Sequence, residues 1–157
     1  MSPDEFDRIQ DFVVQRRLAL VGVSRSGTGF GHLIRQTLRR QGYSLQLVHH
    51  ELAEVAGHPC VCSIAELEPP VDGIILCTPP KVSEGLIDAL VAAKIPRVWL
   101  QQGAQSLAAV ERAEAAGLSV VAGRCILMFA QPKGIHRFHR WLLELFGRVP
   151  KRKALVP

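Results

Sequence analysis

Short apolar runs alternate with segments of helical periodicity along most of this 157-residue chain. Five of the runs are predicted to be strands: 18–23, 43–49, 72–78, 96–101 and 118–123. Helices are predicted between them at 30–41, 81–94 and 106–117, whereas 50–71 reads as a crossover with only a short helical piece. Strands that alternate with helices in this way form a parallel sheet with right-handed crossovers. The chain is therefore predicted to be an α/β protein with a doubly wound, mainly parallel five-stranded sheet and helices on both faces.

Helical patterns also lie at both ends of this core. Ser2, Pro3 and the two acids that follow have the composition of a helix start. Residues 134–146 are predicted to form a closing helix. A chain of this length is suited to one hydrophobic core. We therefore expect a single domain over residues 1–147, followed by a basic C-terminal tail over residues 148–157.

The net charge of +5 is concentrated near the end of the sequence, where residues 131–157 hold seven Lys or Arg and one acid. Such a run is usually a solvated face, and no recognisable nucleic-acid reading element accompanies it, so no nucleic-acid partner is expected. No apolar run approaches the roughly 18 residues of a membrane span, and the first residues are acidic. The expected location is the cytoplasm, with no membrane partner and with the four cysteines as reduced thiols.

A glycine-rich loop, VGVSRSGTGFG at 21–31, lies where the first predicted strand meets its helix. A nucleotide-hydrolysing P-loop would need a lysine after its last glycine, but Thr28 follows Gly27 directly. The dinucleotide fingerprint is shorter than this loop and needs an acid at the end of the second strand, where Glu51 is the nearest. What remains is a set of hydroxyls and peptide N–H groups at the positive end of a helix, which suits an anion. The alternative is a tight turn that binds nothing.

His49, His50, His58, Cys60 and Cys62 fall within fourteen residues, which raises the hypothesis of a zinc site. Their spacing fits no structural zinc pattern. No metal site is predicted.

Six motifs in this order resemble those of the small, single-domain CoA-binding proteins: VGVSR, RRQGYSLQLV, EVAGHPC, VDGIILCTPP, RVWLQQGAQS and AAGLSVVAGRC. These proteins are similar to the CoA-binding domain of the succinyl-CoA ligase alpha subunit. The resemblance covers residues from about 15 to 126. It implies a Rossmann-like fold that binds coenzyme A or an acyl-CoA across the carboxyl edge of the sheet.

The resemblance also implies which residues bind the cofactor. They are Ser24, Arg25, Ser26, Gly27 and Thr28 around the diphosphate; His49 and His50 near the adenosine; Thr78, Pro79 and Pro80 beside the pantetheine arm; and Gln101, Gln102 and Gly103 on the opposite wall. The sequence departs from the family pattern at two places. Many relatives have Asn-Pro in place of the histidine pair, and prolines and lysines in place of Gly27-Thr28-Gly29.

No catalytic constellation is visible, because Ser24 is not in a G-x-S-x-G elbow and no nucleophile has an evident base. In the ligase family a phosphorylated histidine from a second domain supplies the chemistry, and this chain has no room for that domain. The expected function is non-catalytic binding of coenzyme A or an acyl-CoA, with homo-oligomer formation left open. One alternative is an NAD(P)-binding protein or oxidoreductase with Glu51 on the ribose. The other is an interaction protein that uses the basic C-terminal helix and tail.

Overall fold

Seven strands form one sheet in the computed structural model, which describes residues 1–130. They are β1 Arg17–Val21, β2 Ser44–Val48, β3 Glu54–Val55, β4 His58–Val61, β5 Gly73–Leu76, β6 Arg97–Gln101 and β7 Ser119–Arg124. The strand order is β3-β4-β2-β1-β5-β6-β7, and every neighbouring pair is parallel except β3 with β4. The predicted α/β class and mainly parallel sheet are confirmed, but the predicted count of five strands is wrong.

The two strands that the sequence did not indicate form a hairpin at one edge of the sheet. β3 pairs antiparallel with β4 through Glu54 with Pro59 and Val55 with His58. Ala56 and Gly57 make the turn with φ of 51° and 75°, and two left-handed residues are what a two-residue hairpin loop requires. The sequence does not indicate the hairpin, because β3 has only two residues and the four residues of β4 are at most partly buried. Neither strand therefore shows a periodic apolar pattern.

Four α-helices connect or flank these strands within residues 1–130: α1 Pro3–Val14, α2 Phe30–Arg40, α3 Pro80–Ala92 and α4 Leu107–Ala115. The Ser2 hydroxyl accepts a hydrogen bond from the Glu5 N–H at 3.1 Å, as its position before the acids predicts. The Ser106 hydroxyl caps α4 in the same way through the Ala109 N–H at 3.0 Å. The main helices therefore lie where the sequence placed them.

Each face of the sheet carries its own apolar core. On one face, Ile9 and Phe12 of α1 and Ile34 of α2 pack with Leu20 and Trp99 of the sheet. On the other face the core comes from α3, α4 and the alternate strand positions: Ile87, Leu90, Ala109, Ala113, Ile74, Leu76, Val98 and Leu100. Helices therefore cover both faces, as the doubly wound prediction requires.

The chain reverses its direction of winding at β1, which lies between β2 and β5. In open sheets of this kind ligands bind at such a switch point, outside the carboxyl ends of the strands. No helix within residues 1–130 is both long and apolar enough to cross a membrane. The predicted closing helix at 134–146, the end of the predicted domain at residue 147 and the predicted tail at 148–157 lie outside the described residues.

Candidate functional site

Two glycines bring the start of α2 against the end of β1. Gly22 follows β1 with φ of 99°, and a Cβ at this position would lie 2.6 Å from the backbone carbon and oxygen of Cys77. A Cβ on Gly31, in the first turn of α2, would lie 2.4 Å from the Gly22 carbonyl oxygen. The neighbours in both cases are backbone atoms, so no side chain can be accommodated without moving the chain. These glycines fix the N-terminus of α2 at the switch point.

The N-terminus of α2 is open toward solvent. Gly29 precedes the helix with φ of 85°, no side chain caps the first turn, and a Cβ on Gly29 would meet nothing within 4 Å. The first turn of an α-helix has N–H groups without intrahelical acceptors, and the helix dipole adds partial positive charge there. The first turn of α2 also contains no acidic residue. This end of the helix is therefore suited to an anion.

The loop before α2 is held by a chain of hydroxyl groups. Ser24 Oγ donates its hydrogen to the Thr28 carbonyl oxygen at 2.6 Å. Ser26 Oγ must therefore donate to Ser24 Oγ at 3.0 Å, and Thr28 Oγ1 to Ser26 Oγ at 2.6 Å. Each hydroxyl hydrogen is thus used within the loop. The hydroxyls shape the loop, and the peptide N–H groups at the start of α2 are the donors that face an incoming anion.

Two cavities adjoin the end of β1 and share Gly22, Thr78 and Pro79, and the loop before α2 lines only the second of them. The first cavity has a volume of about 490 Å³ and is lined by Val21, Gly22, Val23, Val48, His49, His50, Cys62, Ser63, Ile64, Thr78, Pro79, Val82, Leu86 and Ala89. The second cavity has a volume of about 330 Å³ and is lined by Gly22, Ser24, Thr28, Gly29, Phe30, Gly31, Cys77, Thr78, Pro79, Gln101, Gln102, Gly103 and Ala104. Together they make a two-part crevice centred on the switch point.

Nine of the thirteen predicted site residues line this crevice: Ser24, Thr28, His49, His50, Thr78, Pro79, Gln101, Gln102 and Gly103. The other four do not. Arg25 is ion-paired with Glu51 on the surface, and Ser26 lies within the hydroxyl chain. Gly27 packs under the hairpin turn, where its Cβ would lie 2.6 Å from Ala56 Cβ, and Pro80 is the first residue of α3. A binding role for all thirteen stays a prediction.

The end of β2 carries a stacked histidine pair at the rim of the first cavity. The rings of His49 and His50 are nearly parallel, with an angle of 6° between their planes and a centroid separation of 5.3 Å. His49 Nδ1 accepts a hydrogen bond from the Glu51 N–H at 3.2 Å. Burial, together with the nearby charges of His50 and Arg25, lowers the pKa of His49. His49 is therefore a neutral ring at neutral pH, which suits contact with an uncharged ligand group.

The turn between β5 and α3 forms a rigid wall common to both cavities. Ser83 is fully buried, and its hydroxyl donates to the Thr78 carbonyl oxygen at 3.2 Å while accepting from Thr78 Oγ1 at 2.8 Å. The Pro79 carbonyl oxygen accepts from the N–H groups of Val82 and Ser83 at 2.9 and 3.0 Å. The Thr78-Pro79 turn is thereby fastened to the first turn of α3. The sequence reasoning missed Ser83, because a serine inside a helix carries no distinctive signal.

The apolar lining of the first cavity was also missed. Ile64, in a short 3-10 helix at Ile64–Glu66, lines it after the β3–β4 hairpin that the sequence did not indicate. Val82 and Leu86 line it from α3, and Val82 is 50% exposed. A valine one helical turn before a leucine, directly after the Thr78-Pro79-Pro80 turn, is the sequence signal that could have marked this face of α3 as a ligand wall.

Among residues 1–130, no three His, Cys, Asp or Glu side chains lie close enough to hold a metal ion. His58, Cys60 and Cys62 instead belong to β4 and the residue that follows it.

Comparison with known proteins gives a family match and several relatives. A family described as the CoA binding domain matches residues 16–131. The uncharacterized protein YneT of Bacillus subtilis is 24% identical over 111 residues, which are 71% of this chain and 82% of that protein.

Solved structures share the fold. A hypothetical protein from Pyrococcus horikoshii has a TM-score of 0.74 and 24% identity, covering 91% of this chain and 97% of its own. A conserved hypothetical protein from Pyrococcus furiosus is 34% identical with a TM-score of 0.67, covering 71% of this chain and 97% of its own. The dinucleotide-forming acetyl-coenzyme A synthetase 1 of Ca. Korarchaeum cryptofilum has a TM-score of 0.59 and 20% identity, covering 69% of this chain and 26% of the synthetase.

Proposed function

The chain belongs to the CoA-binding domain family, and from this premise we propose that it binds coenzyme A or an acyl-CoA in the two-part crevice without itself catalysing a reaction. The diphosphate would lie at the N-terminus of α2. The adenosine half would enter the first cavity, and the pantetheine arm would enter the second.

The observation that carries this proposal is that two unlike cavities meet at Gly22, and that the second of them contains the open N-terminus of α2. The first cavity is walled mainly by apolar groups, including Val48, Ile64 and Leu86, which suit the face of a purine base. The second cavity holds Phe30 and Pro79, which suit the methyl and methylene groups of a pantetheine arm. A ligand with a diphosphate at its centre, a purine base on one side and a largely apolar arm on the other fits these surfaces.

Charge near the loop supports the same placement. The Arg25 side chain is 66% exposed and paired with Glu51 at the surface. Exposed ion pairs of this kind contribute little to stability, so Arg25 can exchange its carboxylate partner for a phosphate at small cost. An arginine is well suited to this because it binds phosphate through two parallel hydrogen bonds.

The NAD(P) alternative depends on Glu51, the acid that would bind a ribose. In this structure the Glu51 carboxylate is paired with Arg25 and lies 3.5 Å from His50 Nε2. This exposed pair is weak, so Glu51 is as free as Arg25 to change partner, and the titration with NAD and coenzyme A decides between the two ligands. The other alternative, an interaction through the basic C-terminal segment, concerns residues outside those described.

Two potential nucleophiles in the crevice lack the activation that catalysis needs. Burial raises the pKa of Cys77 to about 12, with Cys125 as the smaller cause, so the thiol is protonated at neutral pH. The Ser24 hydroxyl donates to a carbonyl oxygen instead of to a base. These features support a binding role.

Calorimetric titration of the purified protein with coenzyme A, acetyl-CoA, dephospho-CoA, NAD and NADP tests the proposal. We expect coenzyme A and acetyl-CoA to bind and NAD and NADP not to bind. A weaker affinity for dephospho-CoA would assign a basic group to the 3′-phosphate. Binding of NAD in place of coenzyme A, or no binding of either, would overturn the proposed function.

A further inference from the structure

The second cavity contains a buried hydrogen-bond donor with no acceptor among residues 1–130. Gln101, the last residue of β6, is 2% exposed. Its Oε1 accepts from the Ile126 N–H at 3.2 Å. Because a backbone N–H can only donate, this contact fixes which end of the amide is oxygen and which is nitrogen. Gln101 Nε2 is then left buried without a partner within the described part of the chain.

The position of Gln101 is set by an irregularity in the sheet. The register between β6 and β7 shifts between Leu100 and Gln101, so that Gln101 lies opposite Arg124 and Gly123 is left over. Gly123 has φ of 68°. Bulges of this kind reorient a side chain at the end of a strand and are frequent beside binding sites. The bulge and the Ile126 contact together hold the Gln101 amide at the cavity wall.

The surroundings of Nε2 indicate the kind of acceptor that it lacks. Among the buried side-chain polar atoms that lack a hydrogen-bond partner within residues 1–130, Gln101 Nε2 is the one that belongs to a residue lining either cavity. The residues lining the second cavity include no lysine or arginine, so away from the N-terminus of α2 a charged acceptor would lack a counter-charge. A neutral carbonyl oxygen is the acceptor that matches a neutral amide donor in such a place.

We propose that Gln101 Nε2 donates a hydrogen bond to a carbonyl oxygen on the arm of the ligand in the second cavity. This inference rests on the proposed function, and it makes Gln101 a specificity-determining residue for carbonyl-bearing arms. Two sources of that oxygen exist in an acyl-CoA: the thioester carbonyl of the acyl group and the amide carbonyls of the pantetheine. Both have the same chemistry, and a set of ligands separates them.

The test compares Gln101→Glu with Gln105→Glu at pH 8. One change adds a carboxylate at the end of β6 and the other adds one in the loop that follows, and both keep an oxygen for a backbone N–H, since Gln105 Oε1 accepts from the Gly103 N–H at 2.8 Å. The ligands are acetyl-CoA, S-ethyl-CoA, which has a thioether and no acyl carbonyl, coenzyme A, and adenosine 3′-phosphate 5′-diphosphate, which has no arm. Gln101→Met is a second variant, in case the buried carboxylate prevents folding.

We expect Gln101→Glu to weaken acetyl-CoA binding about tenfold, because a donor is replaced by a second acceptor facing the ligand oxygen. Binding of the armless nucleotide should not change, which shows that the site is folded. If Gln101→Glu weakens the binding of acetyl-CoA but not of S-ethyl-CoA, the thioester carbonyl is the acceptor. If it weakens the binding of all three arm-bearing ligands, a pantetheine amide carbonyl is the acceptor. Both results support the inference.

The inference is overturned if Gln101→Glu and Gln101→Met bind the arm-bearing ligands as tightly as the wild-type protein does. The proposed function would still stand. A loss shared equally by the armless nucleotide would also overturn the inference, because that loss would show a structural role only. If the wild-type protein binds none of the four ligands, the proposed function itself is wrong and this inference falls with it.

Discussion

Replacement of Gly31 by alanine tests whether close contact between α2 and the β1 turn builds the anion site. The new Cβ would lie 2.4 Å from the Gly22 carbonyl oxygen and 3.3 Å from Val23 Cα. Both neighbours are backbone atoms, so the start of α2 must move by about 1 Å to reach an ordinary van der Waals distance. Overpacking of this kind destabilises proteins by about 1–3 kcal/mol.

Gly85→Ala is the matched control, because Gly85 lies in α3 and a Cβ there would meet nothing within 4 Å. Alanine is favoured over glycine inside a helix by up to about 1 kcal/mol. We therefore expect Gly85→Ala to be slightly stabilising, and the two variants to differ by about 1–4 kcal/mol in the free energy of unfolding.

Urea unfolding measures the stability difference, and calorimetry with coenzyme A measures binding. The Gly31→Ala variant should bind coenzyme A at least tenfold more weakly than the wild-type protein. The displaced N-terminus of α2 would misplace several charge-assisted N–H contacts together. If Gly31→Ala unfolds at the same urea concentration as Gly85→Ala and binds coenzyme A as tightly, the reasoning about this contact is refuted.

Three further predictions follow from the charges around the site and the sheet. Arg25→Ala should weaken coenzyme A binding by about 1.5–3 kcal/mol in calorimetry, because a charged hydrogen bond to the diphosphate is lost, and an unchanged affinity would remove Arg25 from the site. Glu51→Gln should instead tighten coenzyme A binding at low salt, because it removes the carboxylate that pairs with Arg25; equal salt dependence in both proteins would contradict this. The hydrogen bonds from Arg17 hold the pKa of Asp72 below its usual range, so their contribution to stability is present above about pH 4 and is lost as the pH falls through the lowered pKa. Asp72→Asn should therefore flatten the acid limb of the stability curve, measured by urea unfolding at a series of pH values, and an unchanged acid limb would show that this pair does not contribute.

The parts of the fold that the sequence predicts correctly are those with strong local signals. Continuous apolar runs mark β1, β2, β5, β6 and β7, because strands buried on both faces need no polar alternation. Ser2 and Ser106 fix where α1 and α4 begin, because each hydroxyl caps the first turn of its helix. The glycines at 22 and 31 marked the site because the contact between them leaves no space for a side chain.

The parts that escaped prediction depend on contacts between distant segments. The β3–β4 hairpin is too short to show a pattern of its own, yet its turn packs on Gly27 through Ala56, and Ile64 beyond it lines the first cavity. The family resemblance implies that Gly27 belongs to the phosphate loop; in the structure it lies under that turn, and its binding role stays a prediction. The orientation of the Gln101 amide is set by the Ile126 N–H, which is 25 residues away in the sequence. A local sequence pattern cannot predict such a contact.

The most direct measurement of the central claim is a crystal structure of the protein with coenzyme A. We expect the diphosphate to lie within hydrogen-bond distance of the peptide N–H groups at Gly29–Gly31, with the adenine beside His49 and the pantetheine arm between Pro79 and Gln101. A cofactor bound away from the N-terminus of α2, or a first cavity left empty while the cofactor occupies another surface, would contradict it.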